Sequence, residues 1–122
     1  MHRIEKIFSF SAAHQLTHLR AHTPEHKCAR LHGHSYRVRV TLESDTLDAD
    51  GFVLDYASLE PVERYIDSVL DHQNLNDVLG IGTYTTAEAI SRALYERFKP
   101  ELPLLAAVAV SESPDTWAEY RP

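Results

Sequence analysis

From Cys28 to Tyr36 the chain reads Cys-Ala-Arg-Leu-His-Gly-His-Ser-Tyr, which sets two imidazoles two residues apart and a thiol four residues before the first. Side chains two residues apart along a β-strand project from the same face, so a strand here turns His32 and His34 toward one point. Phe8-Ser9-Phe10-Ser11-Ala12-Ala13-His14 adds a third histidine at the end of another expected strand. Three neutral imidazoles around one ion leave a coordination position open, an arrangement suited to catalytic zinc. The same residues also allow a closed structural centre, in which Cys28, His14, His32 and His34 are four protein ligands and no water is left to activate. In the catalytic reading Cys28 stays free as an acid or base, and it then needs a polar neighbour to tune the thiol.

Two strands must carry these groups. Ile4, Lys6, Phe8 and Phe10 share one face of the first, expected to end near Ser11, with Glu5, Ile7 and Ser9 on the other. Tyr36, Val38, Val40 and Leu42 alternate with Arg37, Arg39, Thr41 and Glu43, which is the clearest strand signal in the chain. Between the two, Gln15 to Lys27 has no sustained periodicity and reads as a loop over the site. Its His18, His22 and His26 read as exposed groups or as neighbours of the ligands.

Farther on, Ser44 to Gly51 reads as a turn, and Phe52 to Tyr56 as a short extended segment or the approach to a helix. Leu59, Val62, Ile66, Val69 and Leu70 recur on one helical face, predicting a helix from about Leu59 to Leu70 capped by Ser58, with Pro61 tolerated in its first turn. That helix delivers Asp71 and His72 at its end. The pair Gly80 and Gly82 lacks the lysine and hydroxyl ending of a phosphate-binding loop. Thr85-Thr86-Ala87-Glu88 predicts a second helix capped by Thr85 with Glu88 reaching back, and Ala87, Ile90, Leu94 and Phe98 form its buried side. Leu104 to Ser111 and Trp117 to Tyr120 are expected as two further strands. The order of two strands, two helices and two strands predicts an α+β domain, a four-stranded antiparallel sheet with two helices packed on one face.

With 122 residues the chain is most simply a single domain, 1–122, and a formal charge of -6 argues against a broad nucleic-acid surface. Its single cysteine permits no intrachain disulfide and favours a reducing compartment. No apolar run is long enough for a membrane span or a secretory leader, which predicts a soluble cytoplasmic protein with neither a membrane nor a nucleic acid as partner.

These separated motifs resemble the 6-pyruvoyl-tetrahydropterin synthase and 6-carboxy-tetrahydropterin synthase family over nearly the whole chain. The resemblance is carried by Phe10 to His14, by Cys28 with His32-Gly33-His34, by Gly51 to Tyr56, by Leu70-Asp71-His72 with Leu75-Asn76, by Thr85 to Glu88, and by Ser111-Glu112. The short interval from Cys28 to His32 is similar to the carboxy branch, whereas Tyr84 stands where relatives often carry proline. The resemblance implies the tunnelling fold, with homotrimers or homohexamers and sites between subunits. It also implies His14, His32 and His34 as zinc ligands, Cys28 as the proton-transfer residue, and Asp71 with His72 as an acid-base pair.

In the same reading Glu112 anchors the pterin ring, Thr85 and Thr86 line its pocket, and Lys27 and Arg30 are candidates for triphosphate contacts. The implied reaction turns 7,8-dihydroneopterin triphosphate into 6-carboxy-5,6,7,8-tetrahydropterin with loss of acetaldehyde and triphosphate, toward a 7-deazapurine precursor such as that of queuosine. Two alternatives remain at this point: a synthase that forms 6-pyruvoyl-tetrahydropterin without cleaving the side chain, and a zinc- and pterin-binding assembly protein without turnover.

Overall fold

Alternation in the first two strands becomes a long antiparallel ribbon. The computed structural model describes every residue except Thr83. Strand β1 (His2–His14) lies against β2 (His32–Ser44) in unbroken register, from His2 opposite Ser44 to His14 opposite His32. Strands β3 (Leu105–Ser113) and β4 (Thr116–Tyr120) extend the sheet in the order β1-β2-β3-β4, every neighbouring pair antiparallel. Both leading strands begin or end beyond the expected limits. β1 continues past Ser11 to His14, and β2 starts at His32, because the two ends pair with each other.

One face of the sheet is apolar by the two-residue period, and it is the face the helices cover. Phe8, Phe10 and Ala12 of β1 and Tyr36, Val38, Val40 and Leu42 of β2 are buried there, while Ser9, Ser11 and Ile7 are exposed on the other side. Against this face lie α1 (Glu60–Tyr65), α2 (Leu75–Val78) and α3 (Ala87–Phe98). Ile90, Leu94 and Phe98 of α3 join Val62, Ile66, Leu70 and Leu75 in one core with the strand residues. Burying a side chain of this size is worth about 1.5–3 kcal/mol, so the shared core is what holds the two layers together. No helix among the described residues is long and apolar enough to cross a membrane.

The expected helix from Leu59 to Leu70 is three pieces rather than one. A tight 3-10 turn over Tyr56–Leu59 leads into α1, and a wide π turn over Ile66–Leu70 follows. The cap is Asp55, whose carboxylate accepts the Ala57 N–H at 2.9 Å, and Ser58 lies inside the turn instead. In the π turn the Asp71 N–H reaches back to Ile66 C=O at 2.9 Å. A wide turn fits in one extra residue. Leu70 therefore stays in the core and Asp71 emerges beside β1.

Residues 71–74 then run along the outer edge of β1. The His72 N–H donates to Ser11 C=O at 2.6 Å and the Ala13 N–H to Gln73 C=O at 3.0 Å, so the end of the edge strand is satisfied on both sides.

At α3 the expected cap shifts by one residue. Thr86 is the N-cap, its hydroxyl accepting the Ala89 N–H at 3.2 Å, and Thr85 is wholly buried before the helix begins. Glu88 thereby falls at the second helical position, one short of the place from which an acid reaches back to the cap, and it is exposed. Thr86→Ala is expected to lower stability by about 1 kcal/mol, read from the urea midpoint at unchanged slope.

Candidate metal centre

The register of β1 on β2 puts His14 directly opposite His32 and one step diagonal from His34, all three on the helix-covered face. One ring nitrogen from each lies within 4.8 Å of the others. His14 is 1% exposed and the other two are half-buried. The His14 Nδ1–H donates to Thr85 C=O at 2.7 Å and the His32 Nδ1–H to Arg30 C=O at 2.6 Å. Each backbone carbonyl thus takes the proton on one nitrogen and leaves Nε2 with a free lone pair. Among the described residues His32 Nε2 is buried without a hydrogen-bond partner, and His34 Nε2 stands 3.1 Å from His14 Nε2. Two nitrogens bound to one tetrahedral zinc lie about 3.3 Å apart, so these residues fit a metal ion. The centre was legible in the spacing of the histidines, but the two carbonyls that orient them were not.

Electrostatics point the same way. Burial, reinforced by the neighbouring His32 and His34 and opposed by the Thr85 carbonyl, lowers the His14 pKa from 6.5 to about 4. Burial and His32 also lower that of His34. Both rings are neutral near pH 7, the form that ligates a metal.

Cys28 is not a member of the donor group among the described residues, which favours the open three-histidine reading over the four-ligand one. It sits in a 3-10 turn over Lys27–Ala29, half-buried, with its N–H donated to His26 Nδ1 at 3.0 Å and its carbonyl accepting the Leu16 N–H at 2.9 Å. His26 is therefore an exposed cap for the thiol's turn. His18 stacks on Tyr84, ring centroids 4.3 Å apart, so the loop over the site rests on the segment that carries Thr85.

Glu112, half-buried at the end of β3, brings its carboxylate oxygens to 4.0 Å from His14 Nε2 and 3.7 Å from His34 Nε2. Burial raises its pKa; His32 opposes the rise and Glu88 adds to it. Tyr36, one row along the same face, stacks on Phe10 at 5.1 Å and meets His14 and His34 edge-on at 5.9 and 5.4 Å. Burial pushes its hydroxyl pKa up, and among the described residues that hydroxyl has no partner. The Thr85 hydroxyl is likewise buried without one. A carboxylate, two hydroxyls and three imidazoles thus sit on one side of the sheet.

Asp71 and His72 lie apart from that group. Asp71 accepts the Ser11 N–H at 3.0 Å and pairs with His72 Nδ1 at 2.9 Å, contacts that hold its carboxyl below the usual range. His72 is 81% exposed and has φ 60, a left-handed conformation that only a firmly held non-glycine residue keeps. The Lys27 and Arg30 side chains are exposed. Within this chain Arg30 acts on the centre through its carbonyl.

The pH dependence follows from His14. Between pH 6.5 and about 4 the unfolded chain binds a proton that the folded chain refuses, so stability must fall as the pH drops through that interval. Metal-free protein is expected to show a lower urea midpoint at about pH 5 than at about pH 7.5, with a shallower loss in His14→Gln.

Comparison with known proteins agrees with this arrangement. Residues 3–122 match the family model described as 6-pyruvoyl tetrahydropterin synthase. The 6-carboxy-5,6,7,8-tetrahydropterin synthase of Synechocystis is 40% identical over 96% of this chain and 91% of its own length. That of Haemophilus influenzae is 30% identical over 99% of both. The structure of Caenorhabditis elegans 6-pyruvoyl tetrahydropterin synthase superposes with a TM-score of 0.85 at 26% identity, covering 99% of this chain and 95% of that one. The sheet with its helices on one face is accordingly the tunnelling fold. By sequence, fold and histidine cluster together, the chain belongs to the 6-pyruvoyl and 6-carboxy-tetrahydropterin synthase family, on its 6-carboxy side.

Proposed function

We propose that the chain is a zinc-dependent 6-carboxy-5,6,7,8-tetrahydropterin synthase acting on 7,8-dihydroneopterin triphosphate, with acetaldehyde and triphosphate as the other products. The observation that carries this reading is the approach of the Glu112 carboxylate to within 4.0 Å of the ligand nitrogens His14 Nε2 and His34 Nε2. A flat ring that gives its N–H groups to Glu112 is thereby held next to the three-histidine centre. Relatives named for this product support the choice of reaction.

His14, His32 and His34 would hold the zinc. When bound, it supplies Lewis-acid polarisation of an oxygen and lowers the cost of negative charge there. The chain's own groups do the rest. Glu112 accepts hydrogen bonds from the ring and fixes its orientation, beside the segment of Thr85 and Thr86. The Cys28 thiol, half-buried beside the loop that ends at β2, takes and returns a proton at the side-chain carbons. Asp71 holds His72 Nδ1 at 2.9 Å and so fixes the ring, and His72 serves as the partner in proton transfer. Lys27 and Arg30 face solvent and would be the cations that meet the triphosphate.

His72 is 81% exposed on its own chain, which favours a site completed between subunits, in a homotrimer or a homohexamer of a cytoplasmic enzyme. Oligomer formation is measurable by light scattering.

Anaerobic incubation of zinc-loaded protein with 7,8-dihydroneopterin triphosphate, read by mass spectrometry, is expected to give the carboxy product and acetaldehyde in equal amounts. The pyruvoyl product without acetaldehyde would reassign the reaction, and zinc and pterin binding with no product would leave a binding protein. Cys28→Ala is expected to keep its zinc and lose roughly 10²–10⁴-fold in turnover. Glu112→Gln should weaken pterin binding about tenfold or more, because a charge-assisted bond is removed. Equal affinity in that variant would dismiss the anchor.

A further inference from the structure

Where β1 ends, one side chain binds both main-chain groups of a single residue. Asn76 Oδ1 accepts the Gln15 N–H at 2.7 Å, and Asn76 Nδ2–H donates to Gln15 C=O at 2.9 Å. Gln15 directly follows His14. It is also where the chain leaves the sheet, so its N–H and C=O have lost their strand partners and must find others. A carboxamide is the side-chain group that offers an acceptor and a donor next to each other; aspartate lacks the donor and leucine lacks both. Asn76 is itself anchored, since its N–H donates to Asn74 Oδ1 at 3.0 Å at the start of α2.

From Gln15 two further bonds reach the thiol's turn. Its side-chain amide donates to Ala29 C=O at 2.9 Å, and the next N–H, that of Leu16, donates to Cys28 C=O at 2.9 Å. Three segments therefore meet at one residue: β1 with the buried ligand His14, the 3-10 turn with Cys28, and residues 71–76 with Asp71 and His72.

We infer that Asn76 and Gln15 are positioning residues, Asn76 fixing the end of β1 that carries His14 and Gln15 relaying that position to the turn that carries Cys28. Neither touches a ligand. They act by setting the distance between the metal nitrogens and the thiol, a separation that the proton-transfer role given to Cys28 above requires to be constant. The inference deepens that reading of the site, yet its physical content is independent of which pterin is made.

The two residues divide the task, and this makes the inference testable without substrate. Cys28 is the single cysteine, so its alkylation rate by iodoacetamide in the zinc-loaded protein reports on the placement of that turn alone. Asn76→Ala is expected to weaken zinc binding roughly tenfold, the usual consequence of losing a group behind a metal ligand, and to change the alkylation rate. Gln15→Ala keeps the main-chain bonds to Asn76, so zinc affinity should stay within about twofold while the alkylation rate rises several-fold.

A purely structural role would lower the melting temperature in both variants and separate neither readout. Unchanged alkylation in Gln15→Ala overturns the relay, and parental zinc affinity in folded Asn76→Ala overturns the fixing of His14. If Asn76→Ala does not fold, Asn76→Asp, which keeps the acceptor for the Gln15 N–H and loses the donor to its C=O, carries the zinc readout, and parental affinity there overturns the fixing of His14. None of these readouts uses a pterin, so absence of product in the assay above would remove the proposed reaction without touching this result.

Discussion

The pairing of His14 with His32 across two antiparallel strands is the constraint on which the site depends. It converts a sequence separation of eighteen residues into a fixed cross-strand distance, and the two-residue period then adds His34 to the same face. A slip of one residue in register would send the β2 histidines to the opposite face from His14 and leave no shared point. The register is secured over the whole ribbon by the apolar residues behind the histidines, Phe8, Phe10, Tyr36 and Val38, which are buried only in this alignment. Core packing and metal geometry are therefore one requirement, because the strands that bury the core are the ones that aim the imidazoles.

Around this centre the backbone supplies what side chains do not. The carbonyls of Thr85 and Arg30 select the Nδ1-protonated tautomers of His14 and His32. Burial keeps His14 neutral, and the adjacent imidazoles discourage a second charge. Asp71 and His72 are held differently. Ser11 grips Asp71 from β1, while His72 is displayed to solvent in a left-handed conformation. One group is built to be neutral and enclosed and the other is displayed to solvent, and both are fastened to the same strand within four residues of each other.

The parts legible in the sequence are those with a periodic or compositional signature. Alternation in Tyr36 to Leu42 announces β2, the spacing of His32 and His34 announces the centre, and Ile90, Leu94 and Phe98 mark the inner side of α3. What was hidden depends on tertiary choice between near-equivalents. Thr85 and Thr86 are identical as caps until the fold buries one of them, and Ser58 loses to Asp55 because the helix opens with a 3-10 turn three residues earlier. The π turn at Ile66–Leu70 has no composition of its own. Carbonyls that orient histidines are invisible in any sequence, since every residue has one. Asn76 left a faint sign, a second asparagine in Asn74-Leu75-Asn76 where one suffices as a cap, but its two bonds to Gln15 are a matter of geometry.

X-ray absorption at the zinc edge of the zinc-loaded protein addresses the central claim, that register creates a three-nitrogen site with the thiol outside it. The expected first shell is nitrogen and oxygen at about 2.0–2.1 Å, with imidazole outer-shell scattering from three rings and no sulfur. A sulfur scatterer at about 2.3 Å would place Cys28 on the metal and contradict both the open coordination position and the free thiol.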